Sequence, residues 1–74
     1  MAATNHEARQ RATQLARLHF GDAPLYLTGS EHADARYRDA LRAVRRDLAR
    51  EGYSKHCIYY AAIHGLAAIR KERQ

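Results

Sequence analysis

Residues 31–51 read EHADARYRDALRAVRRDLARE, a run without glycine or proline that holds six arginines and five acids. At about 100° per residue, Ala33, Tyr37, Ala40, Leu41, Val44 and Leu48 fall within about 80° of one another, so the run is an amphipathic helix with one apolar stripe. Arg36, Arg42, Arg46 and Arg50 take the opposite side, with Arg38 and Arg45 on a flank. Helical spacing lets Asp34 meet Arg38, Asp39 meet Arg42 and Asp47 meet Arg50, each pair being worth about 0.2–0.5 kcal/mol. A solvated surface held up by its own ion pairs therefore accounts for most of these arginines. The helix is the scaffold on which the rest of the chain is arranged.

Upstream, Thr28 and Glu31 have the spacing of a capping box, with Ser30 as an alternative cap. The preceding segment, GDAPLYLTGS at 21–30, is the one break in the helical pattern. Pro24 and Gly29 bracket Leu25 to Thr28, which reads as a loop tucking two leucines under the helices. The alternative is a short strand at 25–28 that pairs with a second copy of itself, since a strand cannot leave its ladder unsatisfied. Residues 4–20 form a first helix. Thr4 and Glu7 match a capping box, Ala8, Ala12, Leu15 and His19 make an apolar stripe that Leu18 and Phe20 widen, and Gly21 supplies the stop.

Downstream, Gly52 fits a left-handed position just past the helix end, which folds Tyr53 back on Leu48, and Ser54 caps the next helix at once. That helix, KHCIYYAAIHGLAAIRK from residue 55, is the most apolar. Ile58, Ala62 and Ile69 share a line that Tyr59, Ile63 and Leu66 broaden, while Cys57, Ala61, Gly65 and Ala68 form a stripe of small groups that invites close helix approach. Tyr60, His64 and Lys71 share the remaining side. The expected architecture is an all-α single domain spanning 1–74, with helices at 4–20, 31–51 and 54–72 and the last two forming a tight antiparallel hairpin.

A chain of 74 residues buries only about 60–65% of the surface its unfolded form exposes and needs some added stabilisation. A single cysteine, Cys57, excludes an internal disulfide and fits a reducing, cytoplasmic setting. No apolar run approaches the roughly 20 residues that cross a bilayer. Self-association is then the expected addition: the third helix offers more apolar and small-residue surface than one short first helix can cover, which points to a homodimer.

Enzymatic chemistry finds no support. The five histidines, His6, His19, His32, His56 and His64, include no pair three or four apart, as a helical metal site would need. The carboxylates stand beside arginines, which keeps them ionised and unpoised for proton transfer. No glycine-rich phosphate loop is present. Neither a cofactor nor a small-molecule substrate is expected.

Thirteen Lys and Arg against eight Asp and Glu give a net charge of +5, which favours an anionic partner. The arginine-rich helix is nearly neutral, so the surplus lies towards the two ends. A helix-turn-helix centred on Gly52 would put Ile58 and Ala61 inward, but it would also place Asp47 and Glu51 where apolar residues are wanted.

The stretch REGYSKHCIYYAAIHGL, through Gly52, Tyr53, Ser54 and Lys55, resembles the junction between the two helices of ribbon-helix-helix repressors. The resemblance covers at most the last fifty residues. It implies a DNA-binding dimer in which a strand at 25–28 enters the major groove, Tyr26 and Thr28 face the bases, and the helix N-terminus at Ser54 holds a phosphate. The run of 31–51 is longer than that family's first helix, and the candidate ribbon lacks its basic or amide side chains.

The expected function is therefore a small, non-enzymatic binding and regulatory protein with nucleic acid as partner. The alternative is a protein-binding inhibitor or adaptor, of the kind phages and mobile elements use, that covers an acidic site on a larger assembly; arginine and tyrosine anchor such interfaces. The residues expected to make contact are Arg9, Arg11, Arg42, Arg46, Arg50, Ser54, Lys55, Tyr60, His64, Arg70 and Lys71.

Overall fold

The computed structural model describes residues 5–74 and contains three helices: α1 (Asn5–Phe20), α2 (Glu31–Arg50) and α3 (Lys55–Glu72). The expected capping box of Thr4 with Glu7 lies outside the described residues. Gly21 ends α1 with φ +47°, its amide bonded to the Arg17 carbonyl at 3.3 Å.

Ion pairs and packing fix the helix directions. Arg11 and His19 of α1 meet Glu51 and Asp47 near the end of α2, and Phe20 stacks edge-on against Tyr37 with centroids 5.9 Å apart, so α1 and α2 run in opposite senses. Ala12 abuts Gly65 and Arg17 pairs with Glu72, so α1 and α3 run in the same sense. α3 makes its most extensive packing with α1 and its slightest with α2. The first helix, not the second, is therefore the central element of the bundle.

Its composition explains this. Ala8, Ala12, Leu15, Ala16 and Phe20 are all buried, and three alanines along one face let α3 come close. The small-residue stripe of α3 completes the seam. A β-carbon placed on Gly65 would lie 2.7 Å from the carbonyl carbon and oxygen of Ala12, so only glycine fits this crossing. Along the small-residue stripe Ala61 and Gly65 are buried, Gly65 against α1, while Cys57 and Ala68 stay half-buried. Val44, Leu48, Leu66 and Ile69 close the core from the other two helices.

The α2–α3 connection forms as the pattern predicts. Gly52 has φ +93°, the Gly52 amide donates to the Ala49 carbonyl at 3.1 Å, and the Tyr53 amide donates to the Leu48 carbonyl at 3.3 Å. These two bonds satisfy helix-end carbonyls and turn Tyr53 onto the core. Ser54 then caps α3, its hydroxyl accepting from the Cys57 amide at 3.2 Å.

Residues 25–28 form the expected loop, and the alternative strand is not found, since no strand occurs among the described residues. Other expectations need correction. The loop tucks Leu25 against the core but leaves Leu27 58% exposed. The start of α2 has no capping box: Ser30 is the cap residue but its side chain makes no capping bond. Asp34 instead ties the preceding loop to the first turn. Its carboxylate accepts from the Thr28 amide at 2.7 Å, the Gly29 amide at 3.1 Å and the Thr28 hydroxyl at 3.2 Å, so it is buried in place of pairing with Arg38 on the surface. Three donors outweigh one exposed ion pair. Leu18, expected in the α1 stripe, is 70% exposed, and buried Ala16 takes its place. Tyr59 and Ile63, expected in the buried arc of α3, are 54% and 45% exposed. The small residues pull α3 against α1 and swing these two outward.

Candidate binding face on the third helix

The inner side of α3 is Ala61, Ala62, Gly65, Leu66 and Ile69, all buried. The opposite side shows Tyr59, Tyr60, Ile63 and the exposed His56, His64 and Lys71. From Lys55 to Lys71 there is no acidic residue. The outward face of the helix therefore combines aromatic and apolar surface with cations and imidazoles.

Near the start of α3 the other two helices contribute. The rings of Tyr59 and Tyr60 lie 5.4 Å apart at 88°, and His56 meets Tyr60 edge-on at 4.8 Å. The Arg45 guanidinium of α2 sits 5.8 Å from the Tyr59 ring centre, in cation–π range. Its Nε is buried and has no acceptor. From α1, Arg9 lines a shallow hollow with Cys57, Tyr60 and Ala61. A tyrosine pair is thus flanked by one arginine from each neighbouring helix, and neither arginine is ion-paired with a described residue.

Most other cations are engaged inside the fold. Arg11 donates to both Glu51 carboxylate oxygens at 2.9 Å, a contact that raises its pKa above the usual guanidinium value. Arg17 pairs with Glu72, which raises the guanidinium and holds the Glu72 carboxyl below its usual range. Asp47 takes His19 at 2.7 Å, Arg46 at 3.3 Å and Arg50 at 4.0 Å. The hydrogen bond from His19, with help from Arg46, lowers the Asp47 pKa against the opposing effect of burial. Arg42 pairs with Asp39 at 3.3 Å as its spacing predicts. Arg70 donates to the Leu25 carbonyl at 2.8 Å and stacks on the Tyr26 ring at 4.2 Å, fastening the loop to α3.

The expected contact residues therefore separate. Arg9, Lys55, Tyr60, His64 and Lys71 lie on or beside the outer face of α3. Arg11, Arg42, Arg46 and Arg50 hold carboxylates, Ser54 caps α3, and Arg70 anchors the loop. Sequence reasoning missed Arg45 and Tyr59. Centring the buried arc of α3 on Ala61 and Gly65, about 60° from the line through Ile58, Ala62 and Ile69, would have placed Tyr59 outside it, about 140° away.

An open groove of about 350 Å³ lies between α1 and α2, lined by His19, Phe20, Ala23, Arg36, Asp39 and Ala40, among others. Among the described residues no three His, Cys, Asp or Glu gather as metal ligands, and no helix is long and apolar enough to cross a membrane. No family model, curated protein or solved structure matches the chain.

Proposed function

We propose that this protein is a non-enzymatic binding module that docks on nucleic acid through the outer face of α3 and the arginines beside it. The observation that carries the reading is the acid-free outer side from Lys55 to Lys71, with Arg9 and Arg45 at its edges. An anion meets attraction along this side of the helix and no competing carboxylate. The internal ion pairs sharpen the assignment, because Arg42, Arg46 and Arg50, three of the six arginines of α2, face carboxylates of the same chain.

A second reading is an acidic protein surface, favoured by the contiguous apolar centre of Tyr59, Tyr60 and Ile63 within a basic surround. That arrangement matches the anatomy of protein interfaces. Self-pairing through the same face would bring like charges together, and the centre of the small-residue stripe, at Gly65, is already packed on Ala12 of α1. We therefore favour a partner other than a second copy, with a mass near 8.5 kDa in light scattering. The test of the nucleic-acid reading is salt dependence: affinity falls by about 0.7 log unit for single strands, or about 0.9 for duplex, per log unit of salt for each phosphate neutralised. Absence of binding to either form at low salt would refute it.

A further inference from the structure

We propose that the nucleic acid bound at this face is single-stranded, held by base stacking on Tyr59 and Tyr60 with its phosphates on Arg9, Arg45 and Lys55. The inference rests on the nucleic-acid reading above and goes beyond it in naming the form of the ligand.

Three observations favour the single strand. First, both rings are about half exposed. Side chains this large turned outward, while the small residues of the same helix turn inward, put ring surface where a base can reach it. Stacking on an aromatic ring is available to every base once it leaves the duplex, and alanine substitution shows it to be worth about 1–3 kcal/mol per base. Second, the two rings stand at 88° to one another. Neighbouring bases in a duplex are parallel and closed on both faces, so they cannot lie on two perpendicular rings; the bases of a flexible strand can splay to do so. Third, from Lys55 to Lys71 α3 has no Asn or Gln, and its one arginine, Arg70, already donates to the Leu25 carbonyl and stacks on Tyr26, so the helix offers few of the bidentate groups that read base edges in the major groove. It offers rings and point charges, which suit stacking and phosphate neutralisation.

The flanking groups fit the same ligand. Arg45 already lies beside the Tyr59 ring at 5.8 Å, and Arg9 borders the hollow beside Tyr60. A backbone passing over the tyrosines meets a cation from α1 on one side and from α2 on the other. Farther along α3, Ile63 and Arg70 continue the Tyr59 side of the helix, and Arg70 carries exposed Tyr26. From Tyr59 to Arg70 the helix rises about 16 Å, which sets the scale of the site at a few nucleotides.

The experiment is fluorescence anisotropy with labelled oligothymidylate of about a dozen nucleotides, a duplex of equal length and poly-glutamate as a base-free polyanion. The proposal predicts that the single strand binds about tenfold or more tighter than the duplex or poly-glutamate at equal salt. Tyr59→Ala and Tyr60→Ala each weaken single-strand binding roughly 5- to 150-fold, whereas Tyr59→Phe and Tyr60→Phe retain most of it. The phenylalanine variants, with unchanged melting temperatures, separate loss of stacking from loss of folding. Equal affinity for single strand and duplex, with alanine variants that bind like the parent, would overturn the stacking proposal and leave the nucleic-acid reading standing. Binding to poly-glutamate alone would overturn both and transfer the face to an acidic protein.

Discussion

The two sides of α3 are built from opposite materials. Inward it presents Ala61, Ala62 and Gly65 to the alanines of α1, so closely that one added methyl group meets the Ala12 backbone at 2.7 Å. Outward it presents Tyr59, Tyr60 and Ile63. In a helix that served only the core, the large side chains would be the buried ones, because they carry the most apolar area. Here close approach of α1 and α3 at Gly65 lets Leu66 and Ile69 complete the core, while Tyr59, Tyr60 and Ile63 remain available to something else. The difference separates, within one element, a face packed in the fold from an exposed face that we propose makes contact with a ligand.

Substitutions on each side should therefore fall into distinct classes, and the largest effects belong inside. Leu48 and Ile69 are fully buried, and Leu48→Ala or Ile69→Ala should each cost about 2–5 kcal/mol of unfolding free energy in urea titrations. Gly65→Ala comes next. In an isolated helix the change would stabilise by about 1 kcal/mol, but here the new methyl group strikes backbone that cannot move aside, so a net loss of about 1–3 kcal/mol is expected in the same titration. A stabilised Gly65→Ala variant would show that α1 and α3 are not in contact there. Smaller again is Ser54→Ala, which removes the cap of α3 and should cost about 1 kcal/mol. On the outer face, Tyr60→Ala should change stability by no more than about 0.5 kcal/mol, while ligand binding falls. That last pair of numbers breaks the comparison if it comes out reversed.

The acid side of the pH profile gives an independent check on the inner contacts. Asp34, held by the Thr28 and Gly29 amides, Asp47, held by His19, and Glu72, held by Arg17, all have pKa values lowered in the fold. A carboxylate lowered on folding contributes stability that is fully present above its unfolded pKa of about 4 and is lost as pH falls through its lower folded value. Thermal melts should thus hold steady from neutrality to about pH 5 as far as these groups are concerned, then drop below about pH 4. Asp34→Asn and Asp47→Asn should each flatten part of that drop.

Much of the architecture was legible in the sequence because it depends on local rules. The Gly52 and Ser54 junction, the Gly21 stop and the apolar stripe of α2 follow from backbone conformation and helical period, which neighbouring residues decide. What was misread depends on which helix packs on which. A wheel does not say whether the small stripe or the large stripe of α3 faces inward, and it was the Ala12–Gly65 contact that turned Tyr59 and Ile63 out. Asp34 was misread for a similar reason: its spacing to Arg38 is visible in sequence, whereas the loop amides that bind it more strongly are brought there by the turn at Gly29. For the contact residues, the sequence signalled Arg9, Lys55, Tyr60, His64 and Lys71 by charge and by position. Spacing also gave the pairs of Asp39 with Arg42 and Asp47 with Arg50, but it could not give those that join different helices, Arg11 with Glu51 and Arg17 with Glu72.

The central claim, that the outer face of α3 is the contact surface, is tested most directly by titrating unlabelled oligothymidylate into the isotopically labelled protein and following backbone and arginine side-chain chemical shifts. The account predicts changes concentrated at Lys55, His56, Tyr59, Tyr60, Ile63 and His64 and at the Arg9 and Arg45 guanidinium groups. Changes centred on Arg36, Arg42 and Arg46 of α2, with the α3 signals unmoved, would contradict it.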